Sequence, residues 1–146
     1  MLKSILGVIV GYIVMAILSF AIYTCAYLGL GVERVFEAGS YDVSTIWMVI
    51  MIVLSLIGGI LGGLICAAIS KSKGACMAFA GIVLALGLIV AIMTKMKDHP
   101  DTARSGDVPN FQAMQMAQTP TWLCLLTPVL GAAGVLFGAK KKLPAA

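Results

Sequence analysis

A chain of 146 residues that is 61% hydrophobic and only 11% charged does not fit a soluble domain, in which about a quarter of the residues are charged. A small soluble fold leaves much of its area in water and cannot hide this much apolar surface. The net charge of +4 does not indicate nucleic acid, because the basic residues lie in short runs beside apolar segments and no nucleic-acid-binding motif accompanies them.

Four apolar stretches are each long enough to cross a bilayer, since an α-helix needs about 20 residues to span the hydrocarbon core. In chain order they cover about residues 4–30, 45–70, 75–94 and 120–139. A transmembrane β-strand would alternate apolar and polar residues, whereas these stretches are apolar on every face. The predicted fold is therefore all-α: a single membrane domain over residues 1–146, built as a bundle of four transmembrane helices. The first stretch is longer than the apolar region of a signal peptide, so we expect it to remain as a helix.

The charged residues separate onto two sides of this bundle. Six basic and no acidic residues lie on the side that holds both termini and the short loop at about 71–74: Lys3, Lys71, Lys73, Lys140, Lys141 and Lys142. The other side holds the loops at about 31–44 and 95–119, with four basic residues and all six acidic ones. Because short cytoplasmic loops are rich in Lys and Arg, we expect both termini in the cytoplasm and the chain in the inner (plasma) membrane, with the opposite orientation as the alternative.

Helix-start signals and one proline refine the second and fourth spans. Asp42 or Ser44 is placed to cap the second helix, and Thr119 is expected to cap the fourth, with Pro120 at its first position. Pro128 lies inside the fourth span, where its missing N–H removes one backbone hydrogen bond. We therefore predict that the fourth helix is kinked at Pro128.

Two tryptophans, Trp47 and Trp122, each fall in the first turn of a span. An indole ring prefers the interfacial layer of the membrane, where its N–H stays wet and its ring stays apolar. Both are therefore predicted to anchor the bundle at the outer interface.

Every span carries small residues at the spacing that lets two helices approach closely. The second span has two adjacent rows, which are Gly58, Gly62 and Cys66, and Gly59, Gly63 and Ala67. The other spans contribute Gly7 with Gly11, Gly81 with Ala85, Gly87 with Ala91, and Gly134 with Gly138. These faces predict either close packing within one bundle or docking of other transmembrane chains. The doubled face of the second span is the candidate surface for a partner.

The two outer loops have different patterns. Val32, Val35 and Phe36 recur at helical spacing among charged residues, which predicts one or two amphipathic turns on the membrane surface. The longer loop at about 95–119 is rich in Pro, Gly, Asp and Asn, with a short helix expected from about Phe111 to Gln118. Loops of this length are often functional, so this one is the predicted surface for contacts outside the membrane.

The metal-ligating residues do not form a recognisable site. His99, the only histidine, lies in a loop beside Asp98 and Asp101, a set too small and flexible for zinc, and no span offers a histidine to haem. Six methionines lie at or beyond the outer ends of the spans: Met48, Met51, Met93, Met96, Met114 and Met116. Thioethers bind Cu(I), which leaves periplasmic copper handling as an alternative to their usual role as apolar filler. We predict no metal and no cofactor.

The four cysteines divide by their depth in the membrane. Cys66 and Cys76 lie near the cytoplasmic ends of their spans and are expected to stay reduced. Cys25 and Cys124 lie at similar depth near the outer ends, and a disulfide would need their Cα atoms within about 7 Å. The sequence leaves open whether these two pair or serve as small apolar residues in helix contacts.

No catalytic set and no phosphate-binding loop marks the chain as an enzyme, and we expect that it is not one. Transporters of ions or protons usually place ionisable residues inside the membrane, and the four helix cores have none. We expect an accessory or scaffold subunit that binds membrane lipids and other transmembrane chains, as a hetero- or homo-oligomer. A self-contained small transporter or a homo-oligomeric pore is the alternative.

Overall fold

The computed structural model describes residues 1–96 and 106–143. Within these ranges the chain forms six helices: α1 (Leu2–Leu30), α2 (Val32–Val35), α3 (Thr45–Ser70), α4 (Lys73–Met96), α5 (Asn110–Met116) and α6 (Thr121–Lys142). α1, α3, α4 and α6 are each long and apolar enough to cross a membrane, which confirms the prediction of an all-helical protein with four spans. His99 and its acidic neighbours lie outside the described residues.

A tight turn at Lys71 and Ser72 joins α3 to α4. Lys71 takes the left-handed conformation with a φ of 51°, and its N–H donates to the carbonyl oxygen of Ala67 at 3.0 Å, which ends α3. We call this end of the bundle, where α1 begins and α6 ends, the hairpin end, and the opposite end the cap end. The six lysines predicted to share one side of the membrane all lie at the hairpin end.

α3 is the central helix of the bundle. It packs against α1 on one side and against α6 on the other, and α4 packs against α6. α4 also meets α1, at a point where the Phe79 ring approaches Gly11, whereas no Cα atom of α1 lies within 8 Å of one in α6. The four helices thus close together toward the hairpin end, and their cap-end halves enclose a cavity.

The first small-residue row of α3 contacts α1. A Cβ atom on Gly11 would lie 3.0 Å from the carbonyl oxygen of Gly62, and one on Gly7 would lie 3.0 Å from that of Cys66. Gly58 belongs to the same row and faces Ser19. The two backbones approach so closely that larger residues would have to push the helices apart.

The second row of α3 contacts α6. A Cβ atom on Gly63 would overlap the backbone of Val135, and one on Gly138 would overlap that of Ile60. Gly59, Gly131 and Gly134 make similarly close contacts between the same two helices. Both rows therefore pack within the chain, and the doubled face of α3 is not free for a partner.

Pro128 sits in a notch on α4. A Cβ atom on Gly87 would lie 2.6 Å from the Cβ atom of Pro128, so glycine makes room for the pyrrolidine ring. α6 continues as helix through Pro128, and the Thr127 hydroxyl donates at 3.5 Å to the Cys124 carbonyl, which lacks its usual N–H donor. The kink at Pro128 stays a prediction.

The starts of α3 and α6 differ in their capping. The Ser44 hydroxyl accepts from the N–H of Trp47 at 3.2 Å, which confirms one of the two predicted caps for α3. The predicted Thr119 cap for α6 is wrong by one residue, because Pro120 is the N-cap and the helix begins at Thr121. The Thr119 carbonyl instead accepts from the ammonium of Lys95 at 2.7 Å, which ties the start of α6 to the end of α4.

A compact core fills the hairpin half of the bundle. Phe79 and Val135 are fully buried there, beside Cys66 and Cys76, whose sulfur atoms lie 3.8 Å apart as free thiols. Because this core leaves little space between the helices, the bundle is closed toward the hairpin end.

Candidate binding cavity under a loop cap

The two connections at the cap end fold together over the bundle. Their apolar side chains form one buried cluster with the ends of α1 and α3, here called the cap cluster: Tyr27, Val32, Val35, Phe36, Tyr41, Val43, Trp47, Val108 and Ala113. The predicted amphipathic turn is present as α2, but its apolar side chains do not face outward. Val35 and Phe36 are 1% and 2% exposed, because they pack into the protein instead of the lipid.

Backbone and side-chain hydrogen bonds join the two connections. The N–H of Gln118 donates to the carbonyl oxygen of Tyr41 at 2.8 Å, and the N–H of Val43 donates back to Gln118 at 3.3 Å. The Tyr27 hydroxyl donates to the carbonyl oxygen of Val108 at 2.5 Å in a buried position. These bonds make the cap a part of the fold.

Replacing Tyr27 with phenylalanine is expected to lower the free energy of unfolding by about 1–2 kcal/mol, because the Val108 carbonyl loses its buried donor. Denaturant unfolding in mild detergent, followed by circular dichroism, measures this change. Tyr12→Phe is the control, since Tyr12 is 38% exposed and its replacement should change stability little. Equal effects of the two substitutions would show that the Tyr27 bond does not hold the cap.

Beneath the cap lies a cavity of about 510 Å³, within the size range of ligand sites. α1 contributes Tyr12, Met15, Ser19, Tyr23 and Tyr27 to its wall; α3 contributes Trp47, Met51, Ser55 and Gly58. α4 contributes Val83, Leu86, Gly87, Val90, Ala91 and Thr94; α6 contributes Cys124, Thr127, Pro128 and Gly131. Val35, Phe36, Asn110, Ala113, Met114, Ala117 and Thr119 close it at the cap end. None of the described residues in this lining is charged.

Two of the hydroxyl groups of the wall bond to the backbone of their own helices. Ser55 donates to the carbonyl oxygen of Met51 and Thr94 to that of Val90, each at 2.8 Å along its own helix. Across the described residues, every buried side-chain nitrogen or oxygen has a hydrogen-bond partner. Since most of the lining side chains are apolar, the surface presented to an occupant is mainly carbon, and no buried polar group demands a polar ligand.

The two tryptophans differ in their surroundings although both lie at the cap end. Trp122 is 55% exposed, as expected for a residue at a membrane interface. Trp47 is 9% exposed and packs against Tyr23, with ring centroids 5.8 Å apart. Trp47 is therefore part of the cap cluster, and the anchoring role of both residues stays a prediction.

The structure shows that Cys25 and Cys124 do not form the disulfide that the sequence allowed. Cys25 is exposed on α1 and Cys124 is half-buried in the cavity wall on α6. Since no Cα atom of α1 lies within 8 Å of one in α6, these two residues are too far apart for a disulfide. All four cysteines are free thiols.

The outer methionines take several different places. Met93 and Met96 are exposed on α4, Met48 and Met116 pack against the cap cluster, and Met51 lies in the cavity wall. Among the described residues, no group of three or more His, Cys, Asp or Glu side chains could hold a metal ion. Copper handling by the methionines stays an untested alternative.

The sequence contained one signal of the cavity. Tyr12, Ser19, Tyr23 and Tyr27 recur at spacings of seven and four, which places them along one stripe of α1. Polar groups in a transmembrane helix usually face the protein interior, so this stripe marks the side of α1 that borders the cavity.

Comparison with known proteins gives no family for this chain. No protein-family model, no curated protein and no solved structure matches it.

Proposed function

We propose that this multi-pass membrane protein is a non-enzymatic accessory or scaffold subunit that packs against other transmembrane chains and lipids. We place it in the inner (plasma) membrane with both termini in the cytoplasm, because the lysines at the hairpin end match the charge bias of cytoplasmic loops. The lack of ionisable residues in the four apolar cores supports a packing role over a chemical one.

One observation carries this proposal. The glycines predicted as contact positions on α1, α3 and α6 are occupied by contacts within the chain, whereas Gly81 and its small neighbours on α4 are open. A Cβ atom on Gly81 would meet no atom within 4 Å, and Ala78 and Ala85 beside it are exposed. Because membrane helices approach one another through small residues, this α4 face is the one we assign to a partner helix.

Native mass spectrometry after purification in mild detergent tests the proposal. Wild-type protein should carry another chain, or a second copy, and Ala85→Leu should lose it because leucine holds a partner helix away. Ala16→Leu is the matched control, since Ala16 is an exposed alanine on α1. A monomeric wild type, or equal loss in both variants, would contradict the proposal.

The cavity favours a second candidate, a self-contained small transporter or homo-oligomeric pore. In one chain the cavity ends at Gly58, Val83 and Gly131, and the core around Phe79 and Val135 blocks a path to the hairpin end. Transport would therefore need an opening of that core or a path between copies. A homogeneous ring of copies in native mass spectrometry, with ion flux through vesicles containing this chain alone, would favour this candidate over the first.

A further inference from the structure

The cavity opens toward the membrane between α1 and α4. Tyr12, Leu86 and Val90 line it, yet they are 38%, 42% and 60% exposed, so they stand at its mouth. Val90 lies six residues before the end of α4 at Met96, which is about 9 Å deeper at 1.5 Å per residue. Because this mouth lies between two spans at this depth, it faces lipid chains. Met114 of α5, which is 48% exposed, borders the cavity at its cap end.

The wall suits a hydrocarbon occupant. It has no charged side chain among the described residues, and its Ser55 and Thr94 hydroxyls are bonded to their own helices. A polar solute would exchange its hydration for a wall that is mainly carbon, whereas a hydrocarbon chain has no hydration to lose. Left empty, a space of this size would also forfeit the dispersion contacts that hold packed interiors together.

The cap-end rim carries a positive charge next to this apolar space. The Lys95 ammonium donates at 2.7 Å to the carbonyl oxygen of Thr119, and Thr119 itself lines the cavity. The Asn110 amide lies on the same rim and donates to the Thr24 hydroxyl at 3.1 Å. An apolar cavity with a cationic rim matches a molecule that has an apolar chain and an anionic group at one end.

We infer that this cavity binds one acyl chain of a membrane phospholipid, which enters sideways between α1 and α4 and leaves its phosphate beside Lys95. The chain lies against Met51, Ser55 and Trp47, directly under the cap cluster. The bound lipid fills the space between the cap and the closed half of the bundle. This inference does not depend on the proposed partner face of α4.

Fluorescence quenching by a brominated phospholipid tests the site. Trp122→Phe leaves Trp47 as the only indole, and Trp47 lines the cavity while only 9% of its surface is exposed. The protein is reconstituted in vesicles of phosphatidylcholine with bromine on the acyl chain near the headgroup, and in vesicles of the same lipid without bromine. We expect strong quenching of Trp47 by the brominated lipid, because its chain reaches the ring through the cavity.

Two neighbouring substitutions separate the cavity from the surrounding lipid. Val90→Phe places a ring at the mouth, whereas Ile89→Phe places one on the membrane-facing surface outside the lining, where Ile89 is 51% exposed. Val90→Phe should lose most of the quenching and Ile89→Phe should keep it. Circular dichroism checks the fold, and Ser55→Leu, which fills the inner wall, replaces Val90→Phe if that variant does not fold. Absence of quenching in the parent protein, or equal quenching in the blocked and control variants, would overturn the inference.

Discussion

Replacing Gly63 with alanine is expected to lower the free energy of unfolding by about 3 kcal/mol, at the upper end of the cost of overpacking. The new Cβ atom would overlap the backbone of Val135, and a helix backbone cannot move aside as the end of a side chain can. α3 and α6 would have to separate along their whole contact, which also involves Gly59 and Gly138. Denaturant unfolding in detergent micelles, followed by circular dichroism, measures the effect.

Gly81→Ala is the matched control for this prediction. Gly81 lies in a span too, but a Cβ atom there meets no atom within 4 Å, so alanine is expected to be neutral or to stabilise the helix by up to about 1 kcal/mol. Comparing Gly63→Ala with Gly81→Ala separates the cost of forcing two helices apart from the general effect of replacing a glycine. Similar destabilisation by both substitutions would contradict the packing of α3 against α6.

Replacing Trp47 with alanine is expected to destabilise the protein by about 3 kcal/mol or more, as for other large aromatic side chains removed from a core. Trp47 packs against Tyr23 and belongs to the cap cluster, so its loss also enlarges the cavity beneath. Hydrogen exchange of residues 31–44 should become faster in the variant, because the cap cluster loses the one buried side chain that α3 contributes to it. Unfolding in micelles and hydrogen exchange by mass spectrometry measure the two effects.

Trp122→Ala provides the comparison, since Trp122 lies at the same end of the bundle but is 55% exposed. It should change the unfolding free energy little in detergent and leave the exchange of residues 31–44 unaltered. If both tryptophan substitutions had the same effect, Trp47 would act as an interfacial anchor and not as part of the cap cluster.

The spans could be predicted from the sequence because their signal is local. About 20 consecutive apolar residues suffice to identify a transmembrane helix, and the observed α3 coincides with the predicted 45–70. Small-residue spacing likewise identified Gly63 and Gly138 as contact positions. The spacing could not show whether these positions contact a helix of the same chain or of another chain, because it identifies a contact face and not the helix that packs there.

The cap and the cavity depend on contacts between distant parts of the chain. The spacing of Val32, Val35 and Phe36 is the same for a turn on lipid and for one buried under a second loop. The backbone hydrogen bond between Tyr41 and Gln118, which joins the two loops, distinguishes the buried turn from a turn on lipid. The cavity arises because α1 makes no close contact with α6 in the bundle. This is a tertiary feature, and the polar stripe on α1 is its only local signal in the sequence.

Cysteine labelling in intact cells tests the four-span topology most directly. Ala38→Cys places an exposed thiol at the cap end, and Gly74→Cys places one beside the turn at the hairpin end. The unmodified chain, whose four cysteines lie in the spans, serves as the blank. A membrane-impermeant maleimide should label Ala38→Cys in intact cells and Gly74→Cys only after permeabilisation. Labelling of both variants from the same side of the membrane would contradict the four-span bundle.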